Sequence, residues 1–143
     1  MDMTGITFAV LASVAWGLVY TIDQKILGLM SPLAWLAISS LIAAIITLPV
    51  LFLHQEEIKA VFQSGRNNVL LMIGTQFLIV LATLFIFSAI KHLGAVTANI
   101  FEITYPLFVV IFSLLMFGGR ISLSFGVGAL FIFLGSLIII KFS

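Results

Sequence analysis

Five long apolar runs, separated by short polar punctuation, organise this chain. The first, Ile6 to Ile22, gives way to "DQK", and the second, Pro32 to Leu53, to "HQEE". The third, Val69 to Ile90, stops at "KHLG", the fourth, Ala95 to Phe117, at "GGR", and the fifth, Ser124 to Ile140, at Lys141. The runs are continuously apolar instead of alternating, which favours helices over the strands of a barrel. Crossing a hydrocarbon core about 30 Å thick takes roughly 20 helical residues. The pattern predicts helices over about 5–22, 32–53, 69–90, 95–117 and 124–141. Ser31 and Pro32 give the second a start signal, a capping hydroxyl followed by proline at the first helical position. The sizeable loop "HQEEIKAVFQSGRNN" is expected to be an interfacial turn.

Composition agrees with a membrane setting. The 143 residues are 63% hydrophobic and 8% charged, and the mean hydropathy of +1.36 is far above that of a water-soluble domain. The expected fold is all-α: five transmembrane helices in a single domain over residues 1–143, with no room for a separate soluble domain. The opening "MDMTG" carries an acid and no Lys or Arg, so the first run is expected to be retained as a helix and not cleaved as a signal. Absence of cysteine excludes disulfides and thiolate chemistry. A net charge of +1 offers no patch for nucleic acid. No metal-ligand cluster, nucleophile with its base, or phosphate loop is visible, so neither an enzyme nor a cofactor is expected. His54 and His92 are expected at helix ends in the interface, Trp35 in the aromatic belt, and Asp23 and Lys25 as boundary charges.

Polar and small residues inside the runs fall on faces. Ala9, Ser13, Trp16, Gly17, Tyr20 and Gln24 recur at three- and four-residue steps in the first helix; Ser40, Ala43, Ala44 and Thr47 do so in the second. Thr75, Gln76, Ala82 and Thr83 make a looser set in the third. In the fourth, Ala95, Ala98, Asn99, Glu102, Pro106 and Ser113 share a sector of roughly 60°, with Tyr105 at its edge. These faces are expected to meet around a shared interior.

Five crossings sort the cations by side. Lys59, Arg66 and Arg120 share the side of the N-terminus, and Lys25, Lys91 and Lys141 share the other. The balance gives the chain no strong reason to insert one way, because cytoplasmic Lys and Arg normally set orientation. A chain inserting both ways can pair antiparallel with a second copy about an axis in the membrane plane, the symmetry of inverted-repeat transporters. Ser124, Gly128 and Gly135 leave a groove on the fifth helix for close helix packing. Contact within the chain and contact with a second copy are equally compatible with that groove.

The residues also resemble a known family. "SVAWGLVY", "SPLAWLAISSLIAA" and "SAIKHLGAVTANIFEITYPLFVVIFSLLMFGGRISLSFGVGALFIFLGSLIII" together resemble one repeat of the EamA-like transporters of the drug/metabolite transporter superfamily. The resemblance covers most of the chain and is strongest in its last third. It implies half of a ten-helix, inverted-repeat carrier of small metabolites in the bacterial or archaeal inner membrane. One departure stands out: Gly119 occupies the place, directly before Arg120, where the family typically has an acid. Any role of that acid is not carried over, and Arg120 is left as a solvated or lipid-phosphate-binding cation.

Glu102 is the chemically loudest residue. It lies about 6 Å from the midplane of the predicted fourth helix, at 1.5 Å per residue. An ionised group at that depth costs about 3 kcal/mol or more, so it should face a cavity, find a cation, or stay protonated much of the time. Two readings are open: a coupling or substrate-binding carboxylate, or a protonated acid bonded to Asn99 or Gln76 that holds the bundle together. Pro106 frees the backbone carbonyl of Glu102 and is read as either a hinge or a packing kink. Trp16, Tyr20 and Tyr105 form an aromatic wall for a substrate or simply fill the core. The expected function is a small-molecule transporter working as an antiparallel homodimer in the bilayer, proton-coupled through Glu102 or facilitative. Asn99, Trp16, Tyr20, Gln76 and Tyr105 would line its cavity. The alternatives are a non-transporting subunit, a half-transporter needing a different chain, or a flippase of lipid-linked substrates.

Overall fold

A computed structural model gives the structure of residues 2–118 and 122–142. Gly119 and Arg120, which the resemblance singles out, lie outside the described residues. The elements are α1 (Met3–Leu27), α2 (Pro32–Leu53), α3 (Gln55–Gln63), α4 (Arg66–Leu93), α5 (Ala95–Glu102), α6 (Tyr105–Phe117) and α7 (Leu123–Phe142). Five segments are long and apolar enough to cross a membrane: α1, α2, α4, α5 with α6, and α7. The protein is an all-α, multi-pass membrane protein.

Local chemistry sets the helix ends. The Asp2 carboxylate accepts from the Thr4 amide at 3.0 Å and opens α1, and the Ser31 hydroxyl accepts from the Ala34 amide at 3.2 Å and opens α2 at Pro32. Gly94 closes α4 and opens α5 with φ 79° and ψ 160°, a region of backbone space essentially confined to glycine. Its amide donates to the Ile90 carbonyl at 2.9 Å and its carbonyl accepts from the Ala98 amide at 3.1 Å. One residue therefore ends one helix and begins the next.

Three features differ from the sequence expectation. The first helix does not end at Ile22 but continues to Leu27, so "DQK" is helical and Asp23 is buried instead of marking a boundary. The fourth span is broken at Ile103 and Thr104 into α5 and α6, because Pro106 has no N–H to give the carbonyl of Glu102. The loop expected to be a turn contains α3, which sets Ile58, Val61 and Phe62 beside Val50, Leu51 and Met72 around a cavity of about 450 Å³. Glu56, Glu57 and Lys59 of α3 are exposed, the partition of an amphipathic helix at an interface.

Packing is concentrated at one end. Leu27, Leu36, Phe87, Ile90, Ala95 and Ala98 form the core where the C-terminal ends of α1 and α4 meet the N-terminal ends of α2 and α5. From Met3 to Val19 no residue of α1 is buried, and α6 buries none. The chain exposes 11,275 Å², against about 7,200 Å² for a compact soluble protein of this mass. The excess is surface for lipid and for other helices.

The Gly94 turn gives a direct check. A Cβ there would meet nothing nearer than the Gln24 Oε1 at 3.5 Å, so room is not the obstacle and backbone conformation is. Gly94→Ala should destabilise the fold by about 1–3 kcal/mol, read as a lower midpoint of thermal unfolding in detergent. An unchanged midpoint would mean that the turn has another, unstrained geometry.

Candidate functional site

The hydroxyls on the polar faces need no cavity. Ser13, Thr47, Thr75 and Thr83 each donate to the carbonyl four residues earlier, at 2.8 to 3.0 Å. That local bond satisfies a hydroxyl in hydrocarbon without a second helix. Carboxyl, amide and indole groups have no such escape, and these are the groups the fold brings together across helices.

Glu102 is the last residue of α5 and is half-buried. The Tyr20 hydroxyl, from α1, donates to its Oε1 at 3.0 Å. The regular helical ladder stops just after it: the Ile103 amide still donates four residues back to the Asn99 carbonyl at 2.9 Å, but the Thr104 amide and hydroxyl both donate three residues back to the Phe101 carbonyl, at 3.3 and 2.8 Å. The carbonyl of Glu102 faces the position where Pro106 offers no donor. A carboxylate at a helix C-terminus is unfavourable beside the negative end of the helix dipole. The Tyr20 hydroxyl offsets part of that penalty.

One turn before Tyr20, Trp16 places its ring 5.5 Å from the tyrosine ring at an interplanar angle of 38°. Trp16 is 57% exposed on the isolated chain, and Tyr105, which begins α6, is 60% exposed. The Trp16 and Tyr20 rings are thus in contact, while Trp16 and Tyr105 remain open. Asn99 is half-buried one turn before Glu102, while Gln76 on α4 is exposed; neither bonds to Glu102 among the described residues. Pro106 stands at the α5–α6 break. On α7, Gly135 helps to line a groove of about 240 Å³ with Ile100 and Ile103 of the same chain, and Ser124 and Gly128 are exposed.

A second polar set was foreseen only in part: Gln24 stood on the polar face of the first helix, whereas Asp23 was expected as a boundary charge. Asp23 is 3% exposed and its Oδ1 accepts from the Trp35 indole Nε1 at 2.9 Å, with the Trp35 and Phe87 rings 6.4 Å apart. Trp35 is partly buried and packs one side against the core. The Gln24 Oε1 accepts from the Ala95 amide at 2.6 Å and caps α5 from another helix. Lys91, on α4, donates to the Met30 carbonyl at 2.7 Å. The signal was available: Asp23 follows Tyr20 by three residues and so continues the polar face of α1 into "DQK". No group of three His, Cys, Asp or Glu converges among the described residues, so the site has carboxyl, phenol, indole and amide chemistry to work with.

Fold and site define a multi-pass helical membrane protein with a half-buried carboxyl on an incompletely covered polar face. The chain belongs to the EamA-like transporter family, which its sequence matches over residues 3–141. It is 28% identical over 137 residues to a curated protein of Clostridium kluyveri named an uncharacterized transporter, a match covering 96% of this chain and 44% of that protein. The chain thus spans less than half the length of that relative. No solved structure matches it.

A double-mutant cycle tests the central contact. Tyr20→Phe and Glu102→Leu together should be less destabilising than the sum of the two alone, with a coupling of about 0.6 kcal/mol, the average for hydrogen bonds between membrane helices. Strict additivity of the thermal shifts would mean that the phenol and the carboxyl do not interact.

Proposed function

We propose that this chain is one half of a small-metabolite transporter, completed by a second copy inserted in the opposite orientation, and that Glu102 is the carboxylate that binds substrate or couples transport to protons. The observation that carries the reading is the half-buried Tyr20–Glu102 pair on a face the chain leaves open. Trp16 and Tyr105 flank it, and Asn99 and Gln76 lie on the helices around it. A carboxyl at this depth can exchange a proton for a cationic substrate or carry one beside a substrate. The break between α5 and α6 supports the same reading, since carriers commonly build midplane sites from interrupted helices.

Three further observations support an antiparallel pair. Basic residues are balanced three against three across the five crossings. The exposed area of 11,275 Å² leaves ample surface for a second chain. The match to the Clostridium kluyveri protein covers 44% of that protein, as one half of a longer carrier would. The groove around Ser124 and Gly128 would then contact the second copy. The membrane is the inner membrane of a bacterial or archaeal cell.

Topology decides the assembly. Single cysteines placed near each terminus of this cysteine-free chain should each be labelled in part by an impermeant reagent added outside intact cells, with the remainder becoming reactive once the cells are permeabilised. A single dominant orientation would defeat the homodimer and point to a different, oppositely inserted chain. Glu102→Gln decides the site. Reconstituted in liposomes, the variant should fold, lose uptake of whichever metabolite the parent carries, and show no dependence on a pH gradient. Uptake equal to the parent across pH would remove Glu102 from the mechanism and leave it as a packing residue.

A further inference from the structure

The carboxyl of Asp23 has no part in the site around Glu102, yet it is the most deeply buried charged group among the described residues. Its Oδ1 is bonded to the Trp35 indole, whereas Oδ2 is buried with no hydrogen-bond partner. The groups around it do not neutralise it. On its own helix stand Tyr20 and Lys25; α2 carries no titratable side chain; α4 brings Lys91 and His92 to this end; and α5 brings Glu102. Lys91 is bonded to the Met30 carbonyl and Glu102 to the Tyr20 hydroxyl. Among the described residues no cation forms an ion pair with Asp23.

Position gives this carboxyl its meaning. Asp23, Gln24 and Met30 together tie α1 and its following turn to α2, α5 and α4 at the end of the bundle that holds the core. An ionised carboxylate with one oxygen sealed from water and unbonded opposes closure of that end, because a buried unpaired charge is far more costly than a buried neutral polar group. We infer that Asp23 is a proton-binding latch. The closed end holds the neutral acid, with the carbonyl oxygen accepting from Trp35. When the end parts, water reaches Oδ2, the carboxyl O–H bond breaks, and the proton passes to water on the side of Lys25, Lys91 and Lys141. Proton binding to the closed form requires, by linkage, that low pH favours closure and high pH favours opening.

The inference rests on the transport reading for its purpose, but its test needs no substrate. Ala98 lies in the sealed core, at 2% exposure, and the chain has no native cysteine. Ala98→Cys in reconstituted protein reports water access to this end through its rate of alkylation by a soluble maleimide. Dividing by the rate at an exposed reference position, Gln63→Cys, removes the pH dependence of the thiol itself. Between about pH 5 and pH 9 the ratio should rise about tenfold, the change from an open state of a few per cent to one of roughly half. Asp23→Asn keeps an acceptor for Trp35 but cannot ionise, so its ratio should stay at the low-pH value throughout. A flat ratio with Asp23 intact, or a rise that persists in Asp23→Asn, overturns the latch.

Should Asp23→Asn not fold, Trp35→Phe serves instead. It removes the donor that steadies the ionised form while closed, so opening should begin at lower pH, and an unshifted midpoint overturns the inference equally. Uptake measurements on the same liposomes report on transport separately, so a failed latch and a failed transporter are told apart.

Discussion

Hydrocarbon supplies no hydrogen bonds, so each polar group carried into the bilayer must find its partner inside the protein. In this chain that requirement sorts the side chains into two kinds. Hydroxyls bond their own helix and leave packing unconstrained. Tyr20, Asp23 and Gln24 must reach other helices, and they do so from one face of α1: Tyr20 to Glu102 on α5, Asp23 to Trp35 on α2, Gln24 to the first amide of α5. The apolar core lies at the same end, around Leu27 and Ile90. The last turns of α1 are therefore the hub that fixes α2, α4 and α5, and the remaining lengths of helix are free to meet lipid or other helices.

Pro106 supplies the second organising constraint. Without its N–H the helix after Glu102 cannot continue regularly: Ile103 makes the last ordinary bond of α5, and Thr104 follows with a tighter, three-residue one. Glu102 thereby becomes a helix-end residue near the middle of the membrane span, about 10 Å along the helix from Ala95 at 1.5 Å per residue. An acid at a C-terminus is the opposite of what the helix dipole favours. Its persistence there, held by one phenol, fits a group retained for chemistry better than one retained for stability.

The spans were legible because a run of about 20 apolar residues has few alternatives in a membrane protein. Glu102, Tyr20 and Trp16 were legible too, as a polar face at helical spacing. What escaped the sequence was non-local. "DQK" reads as a boundary unless one knows that Trp35 and Ala95 wait across the interface to satisfy Asp23 and Gln24. Trp35 near a helix start gave no sign in the sequence that Phe87 and the Asp23 carboxylate would lie beside it. Pro106 announced a kink, but the sequence did not show that it would be a break at Ile103 and Thr104, with the Thr104 hydroxyl bonded to the Phe101 carbonyl. Gln76, singled out as part of the looser polar set with Thr75, Ala82 and Thr83, is exposed on α4 in the isolated chain.

The two ends of the chain are unequal, and in an antiparallel pair that inequality has a consequence. One copy would present its tied end to the side on which the other presents its loose end. Were both copies in the same conformation, the two-fold axis would make the two sides of the membrane equivalent and leave no state open to one side alone. Alternating access by identical chains thus requires them to differ at any instant, one tied and one parted, and to exchange roles. The two arrangements are equal in energy by symmetry, so the protein itself supplies no direction. A ligand shifts such an equilibrium only through its differential affinity for the two states. Direction in such an assembly must come from gradients, of substrate or of protons at carboxyls such as Glu102, and not from the fold.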